Sequence, residues 1–262
     1  MGDLLLAALF VTLVWFFATG GILWLNRLPR ELHQGAIVAA IPAAAAAFCA
    51  HLVAAHETGP AAAYLAFGAA IILWGWHEMS FLMGFVTGPN RADLQPGLRG
   101  WQRFRASAAT LIHHEIALAL TLLAMTVLTW GAPNQVGTLT FALLFAMRLS
   151  TKLNIFLGVS NLSSELLPPH LAYLRSHFRQ AHMNPLFPVS LLVSTALLIH
   201  LGARAGSDTG AALLFTLAFL GVIEHLFMML PVRDADLWKW AAPALQLHQA
   251  DDKQREGNPN GL

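Results

Sequence analysis

RLSTKLNIFLGVSNLSSELLPPHLAYLRSHFRQAHMNPLFPVS, residues 148–190, is the stretch on which the reading of the fold turns. It begins inside an apolar segment that carries Arg148, Lys152 and Asn154. It leaves through Gly158 into a loop rich in Ser, Asn and Pro, and re-enters an apolar segment at Asn184-Pro185. The loop holds Asn161, Glu165, His170, His177 and His182. Ionisable residues elsewhere in the chain fall at the same level as this stretch. It is therefore expected to close a polar site at the mouth of a helix bundle.

The whole chain has the composition such a bundle requires. Of its 262 residues 56% are hydrophobic and only 11% are charged, where a soluble domain carries about a quarter. That deficit points to an all-α polytopic membrane protein. The lone cysteine, Cys49, excludes an intrachain disulfide and a multi-Cys metal site. No cleavable signal peptide is expected, because the first residues lack a basic region and the first apolar run is long enough to span. The chain shows no phosphate-cradling Gly loop, no nucleophile elbow and no basic-aromatic surface for nucleic acid.

Outward from the opening stretch, seven continuous runs can each cross a ~30 Å hydrocarbon core as a helix of ~20 residues. They lie near 4–25, 35–55, 61–87, 105–131, 135–158, 185–203 and 209–231. Barrel strands would alternate with period two, and these runs do not. Placing the N-terminus outside puts fourteen of the fifteen Lys and Arg residues on the cytoplasmic side, leaving Arg204 outside. The reading is thus a seven-helix domain over 1–231 with a structured cytoplasmic loop at 159–184. An interfacial segment and a polar, disordered cytoplasmic tail follow at 232–262. Leu167, Leu171, Leu174 and Phe178 form one apolar stripe, which predicts a short interfacial helix near 168–180 starting at Pro168-Pro169. The small patch Thr19-Gly20-Gly21 is expected to permit close helix approach. His51, His56 and His200 fall towards the outer side and read as incidental.

Charged side chains in hydrocarbon cost at least ~2.5–3.5 kcal/mol each on insertion scales, so several together need partners, a ligand or a cavity. This chain places His77 and Glu78 in the third run, and His113, His114 and Glu115 in the fourth. Arg148, Lys152 and Asn154 lie in the fifth, and Glu224 and His225 in the seventh. Counting 1.5 Å per residue, four helices present ionisable groups roughly 14–17 Å from their inner ends. Glu165, His170 and His182 would cap this level from below.

Three readings stay open for the cluster. The first is an ion-pair network in which Arg148 and Lys152 balance Glu78, Glu115 and Glu224. The second is a metal centre, a di-iron or zinc site drawing on His77, Glu78, His113, His114, Glu115, Glu165, Glu224 and His225. Its spacing is unlike Glu-x-x-His or His-Glu-x-x-His. The third is a polar pocket for a ligand such as a pigment, with Arg148, Lys152, Asn154, Asn161, His170 and His182 positioning an anionic group. No catalytic residue is assigned.

WFFATGGILWL (15–25), WHEMSFLMGFVTGP (76–89), TKLNIFLGVSNLSSELLPPHLAYLRSHF (151–178) and MNPLFPVS (183–190) resemble the PuhE family of purple phototrophic bacteria. The resemblance covers most of the chain. It implies a photosynthetic complex assembly protein of the bacterial inner membrane. Such a protein would support the reaction-centre and light-harvesting core complex, or modulate bacteriochlorophyll supply to it. The expected partners are membrane lipid, reaction-centre or light-harvesting subunits, and bacteriochlorophyll, its precursors or its biosynthetic enzymes. The alternative is an intramembrane His/Glu metalloenzyme, an oxidase or hydroxylase acting on a tetrapyrrole or lipidic substrate.

Overall fold

The apolar runs fold as helices, and proline, glycine and asparagine decide where most of them start and stop. The computed structural model describes residues 2–162, 167–231, 234–238 and 240–241, and no strand forms among them. Nine α-helices follow in order among those residues. They are α1 (Gly2–Leu25), α2 (Arg30–Ala55), α3 (Pro60–Leu82), α4 (Gly100–Ala108), α5 (Ile112–Leu128), α6 (Val136–Leu157), α7 (Leu174–His177), α8 (Leu186–Gly202) and α9 (Thr209–Phe227). Pro60 opens α3 where its missing N–H costs nothing. Asp208 caps α9 by accepting from the Ala211 N–H at 2.8 Å.

Among the described residues five helices, α1, α2, α3, α6 and α9, are long and apolar enough to cross a membrane, or six if the bent pair α4–α5 is one crossing. α8 is apolar but has only 17 residues. α3 forms the centre, packing against α1, α2, α5, α6 and α9. Some 61% of its apolar window is buried, against 11% for the peripheral α2.

The run expected as one helix over 105–131 is broken. α4 and α5 meet at 68°, and the loop after α3 holds the bend. Asn90 donates its backbone N–H to Ala109 O and its side-chain amide to Ala106 O, both at 3.0 Å. Thr87 O accepts from the His114 N–H. Gly88 lies so close that a Cβ there would sit 2.1 Å from Ala109 O. No Pro or Gly stands at 106–111 itself; the break is imposed by this contact, which supplies partners to the orphaned groups at the helix ends.

The third run, expected to reach 87, stops at Leu82, where Gly84 turns the chain at φ +82°. The helix expected near 168–180 is instead a 3-10 turn at Pro169–Leu171 followed by the single turn of α7. Its apolar stripe is real, but Leu171 and Leu174 are buried against Phe81, with Leu167, Leu111 and Phe178 around them. The segment plugs the ends of α3 and α5 instead of lying free on a surface, and Arg175 and Arg179 stay exposed. Gly20 likewise receives a ring and not a helix: a Cβ there would meet Trp240 at 2.1 Å, and Trp238 is buried against Trp15 and Phe16. Glu165, Arg233, Lys239 and the expected tail at 242–262 lie outside the described residues.

Candidate functional site: a charged cluster at the helix ends

The expected level of charge exists, but it lies closer to the helix ends than continuous spans would place it. α3 ends four residues after Glu78, and α5 begins three residues before Glu115. These carboxylates therefore sit roughly 5–6 Å from the ends of their helices. On α6, Lys152 stands five residues before the end of the helix, and Arg148, nine residues before it, reaches them from nearer its middle.

Two ion pairs form there. Lys152 Nζ donates directly to Glu115 Oε1, and both side chains are largely buried. Arg148 approaches Glu78 Oε2 at 3.6 Å, with its own side chain 45% exposed. His114, fully buried, sets its Nε2 3.9 Å from Glu78 Oε1. Phe81 covers this group: its ring lies 4.7 Å from the His114 ring, and Lys152 Nζ stands 5.8 Å from its centroid. Of the three residues 113–115, His113 is exposed while His114 and Glu115 face inward. Glu78 Oε1, Glu115 Oε2 and both His114 ring nitrogens make no hydrogen bond among the described residues.

The other expected members are engaged elsewhere. His225 belongs to a second polar group between α6 and α9. Gly221 O can only accept, so Nδ1 of the neutral ring donates to it at 2.9 Å and Nε2 accepts from the Ser150 hydroxyl at 2.9 Å. Asn154, fully buried, extends that group by donating to Ser190 Oγ at 3.0 Å. Glu224 accepts from Trp15 Nε1 at 3.0 Å, tying α9 to α1, and its charge also acts on Arg148. His77 bonds through Nε2 to Thr121 Oγ1 on α5 at 2.9 Å. Asn161 donates to Phe227 O at 2.8 Å, closing the end of α9. His182 is exposed, and its carbonyl accepts from Ser160 Oγ at 2.7 Å.

His170 does not cap the cluster but the helix: its Nε2–H donates to Leu82 O at 2.8 Å. Burial, with Arg30, His33 and Arg91 adding to it, holds this imidazole below the ordinary histidine range despite the backbone bond. Among the described residues no three His, Cys, Asp or Glu side chains are grouped so as to hold a metal ion. The arrangement's chemistry is charge compensation.

Sequence reading named Asn184 and His177 but gave neither a partner in this framework. Asn184 donates to Gly158 O at 2.8 Å and accepts from the N–H groups of Leu186 and Phe187, so it starts α8 and ties it to the end of α6. His177 donates from Nε2 to Ala92 O at 3.1 Å and its Nδ1 pairs with the Ser107 hydroxyl at 3.0 Å, while Arg103 donates to the carbonyls of His177 and Phe156. Asn preceding Pro was the available signal for the first; nothing local marked the second.

Comparison with known proteins places this framework in a family. The model described as "Protein of unknown function (DUF3623)" matches residues 1–249. A protein of Rhodobacter capsulatus described as "Uncharacterized 30.4 kDa protein in puhA 5'region" is 41% identical over 251 residues, covering 92% of either chain. No solved structure matches.

Proposed function

This chain belongs to the DUF3623 family, and from that premise we propose that it is an inner-membrane assembly factor for the bacterial photosynthetic apparatus. In this reading it supports formation of the reaction-centre and light-harvesting core complex, or the supply of bacteriochlorophyll to it. The observation that carries the reading is the 41% identical relative of Rhodobacter capsulatus, named for the region 5' of puhA. The resemblance of residues 76–89 and 151–190 to the PuhE family points the same way. The geometry adds that each carboxylate of the cluster has a basic partner, as a scaffold requires. Lys152 serves Glu115, and Arg148 serves Glu78.

The proposal includes seven crossings, α1, α2, α3, the bent α4–α5 pair, α6, α8 and α9, with the N-terminus outside. α5 and α8 have 17 residues each, about 25 Å of helix, which suffices where loops cover their ends. Fusions of a reporter active only outside the cytoplasm test this: activity after Trp130 and Arg204, and silence after Gln95 and His182, are expected. The reverse pattern removes the orientation.

The functional test is deletion of the gene in a phototrophic host, followed by absorption spectra of isolated membranes. Loss of most of the core-complex absorbance, restored by the wild-type gene, is expected. Unchanged spectra and unchanged total bacteriochlorophyll would contradict the assembly role.

A further inference from the structure

A cleft of about 530 Å3 lies at the elbow between α4 and α5. Gln102, Arg105, Ala106 and Ala109 recur at helical spacing and make one wall of it, and Ile112 continues that wall onto α5. The alanines leave the space open, and the Asn90 bonds to Ala106 O and Ala109 O hold the bend that shapes it. Two arginines of α4 differ sharply here. Arg103 is engaged by the protein, donating to Phe156 O and His177 O with its guanidinium over the Phe156 ring. Arg105 is exposed, and among the described residues no hydrogen bond or ion pair engages its side chain.

The surroundings of Arg105 define what fits beside it. With α5 crossing a bilayer, the 68° bend lays α4 close to the membrane plane. Its exposed Trp101, stacked on Phe104 at 5.0 Å, then has the place of an interfacial anchor, and Arg105 stands at headgroup level. From the cleft an exposed apolar stripe, Ile112, Ile116, Leu120, Leu123 and Val127, runs along α5. A cationic cleft at the head of an apolar stripe suits an amphiphile with an anionic head; a soluble phosphate would leave the stripe unused. No carboxylate lines the cleft. None occurs in the sequence between Asp93 and Glu115, and Glu115 is taken by Lys152. A zwitterionic headgroup would therefore bring its ammonium beside Arg105 with no acidic partner.

We propose that the α4–α5 elbow binds an anionic phospholipid, its phosphate held by Arg105 and Gln102 and one acyl chain laid along the α5 stripe. α5 has only 17 residues, and a headgroup held at its first turn fixes where it enters the bilayer. The site rests on α5 being a crossing, which the fusions after Gln95 and Trp130 test separately, and not on the assembly role.

The test is titration of the full chain in mild detergent with dioleoylphosphatidylglycerol or dioleoylphosphatidylcholine, the bound lipid being read by native mass spectrometry. The first is expected to bind about fivefold tighter than the second. Arg105→Gln, a change at an exposed side chain that does not endanger folding, should abolish that preference. Gln102→Leu should weaken phosphatidylglycerol about twofold. Arg99→Gln removes an exposed arginine of the same connection that does not line the cleft, and the preference should survive it. Equal affinity for the two lipids or an undiminished preference in R105Q overturns the proposal. Equal losses in R99Q and R105Q do so too, since they mean a basic surface without a site. Displacement of the lipid by glycerol phosphate would assign the cleft to a soluble phosphate instead, and equally overturns it.

Discussion

The two ends of the bundle solve the same problem with different chemistry. At the end with short connections, the buried polar side chains carry no carboxylate, ammonium or guanidinium, and several of them find backbone. Asn134 donates to Ala54 O at 2.9 Å, its backbone N–H reaches Ala55 O, and its Oδ1 accepts from the Val136 N–H. His51, fully buried, lies 3.4 Å from Thr138 Oγ1, and Gly137 leaves room for its ring. At the end with long connections, Glu78, Glu115, Arg148 and Lys152 are charged and can be satisfied only by one another. Neutral groups fix a local turn wherever a carbonyl is near. Buried charges fix which helices must be neighbours, since each demands a partner of opposite sign.

That contrast sets the expected scale of damage. Lys152→Ala leaves Glu115 buried and unpaired, at a cost of about 3–5 kcal/mol, so the protein should fail to accumulate in membranes; immunoblotting reads this directly. Arg148→Ala should cost less, because its side chain is 45% exposed, its partner is 3.6 Å away, and His114 remains 3.9 Å from the Glu78 carboxylate. Equal loss in the two variants would erase the distinction between a buried pair and an open one. At the other end, Gly137→Ala drives a methyl to 2.4 Å from His51 Nδ1 and 2.9 Å from Ala66 O. An overpacking cost of about 1–3 kcal/mol is expected, read as a lower Tm in detergent. The loss should be partly relieved by His51→Ala. If Gly137→Ala proves as damaging as Lys152→Ala, the neutral end is no weaker a constraint than the charged one.

The smallest effect is a pH dependence. His170 is held below the ordinary histidine value in the fold, so the unfolded chain binds more protons as pH falls below about 6.5. Its contribution is therefore complete above that pH and is lost on acidification towards the folded value. The Tm difference between wild type and His170→Asn should shrink from pH 7.5 to pH 5.5. A difference that grows on acidification would reverse the assigned direction.

Much of this was legible in the chain. Helices follow from continuous apolar runs, and the charged residues that meet are those read at one level, because hydrocarbon leaves few alternatives. The pairing was not legible: charge counting admitted any match among Glu78, Glu115 and Glu224, and Trp15 takes the last through a hydrogen bond. The bend at 109–111 was hidden for a different reason. Its own residues favour helix, and the break comes from Gly88 and Asn90, some twenty residues away in sequence. His51 read as incidental because the glycine that accommodates it stands on another helix. Tertiary contact overrode local propensity in both cases.

The central claim, that charge compensation between α5 and α6 holds the bundle together, is tested most directly by a double-mutant cycle. Glu115→Leu and Lys152→Leu are made singly and together, and unfolding is followed in mild detergent. Each single change should destabilise strongly, while the double change, which removes both charges and keeps apolar volume, should recover most of the loss. A double variant as damaged as the sum of the two singles would contradict the claim.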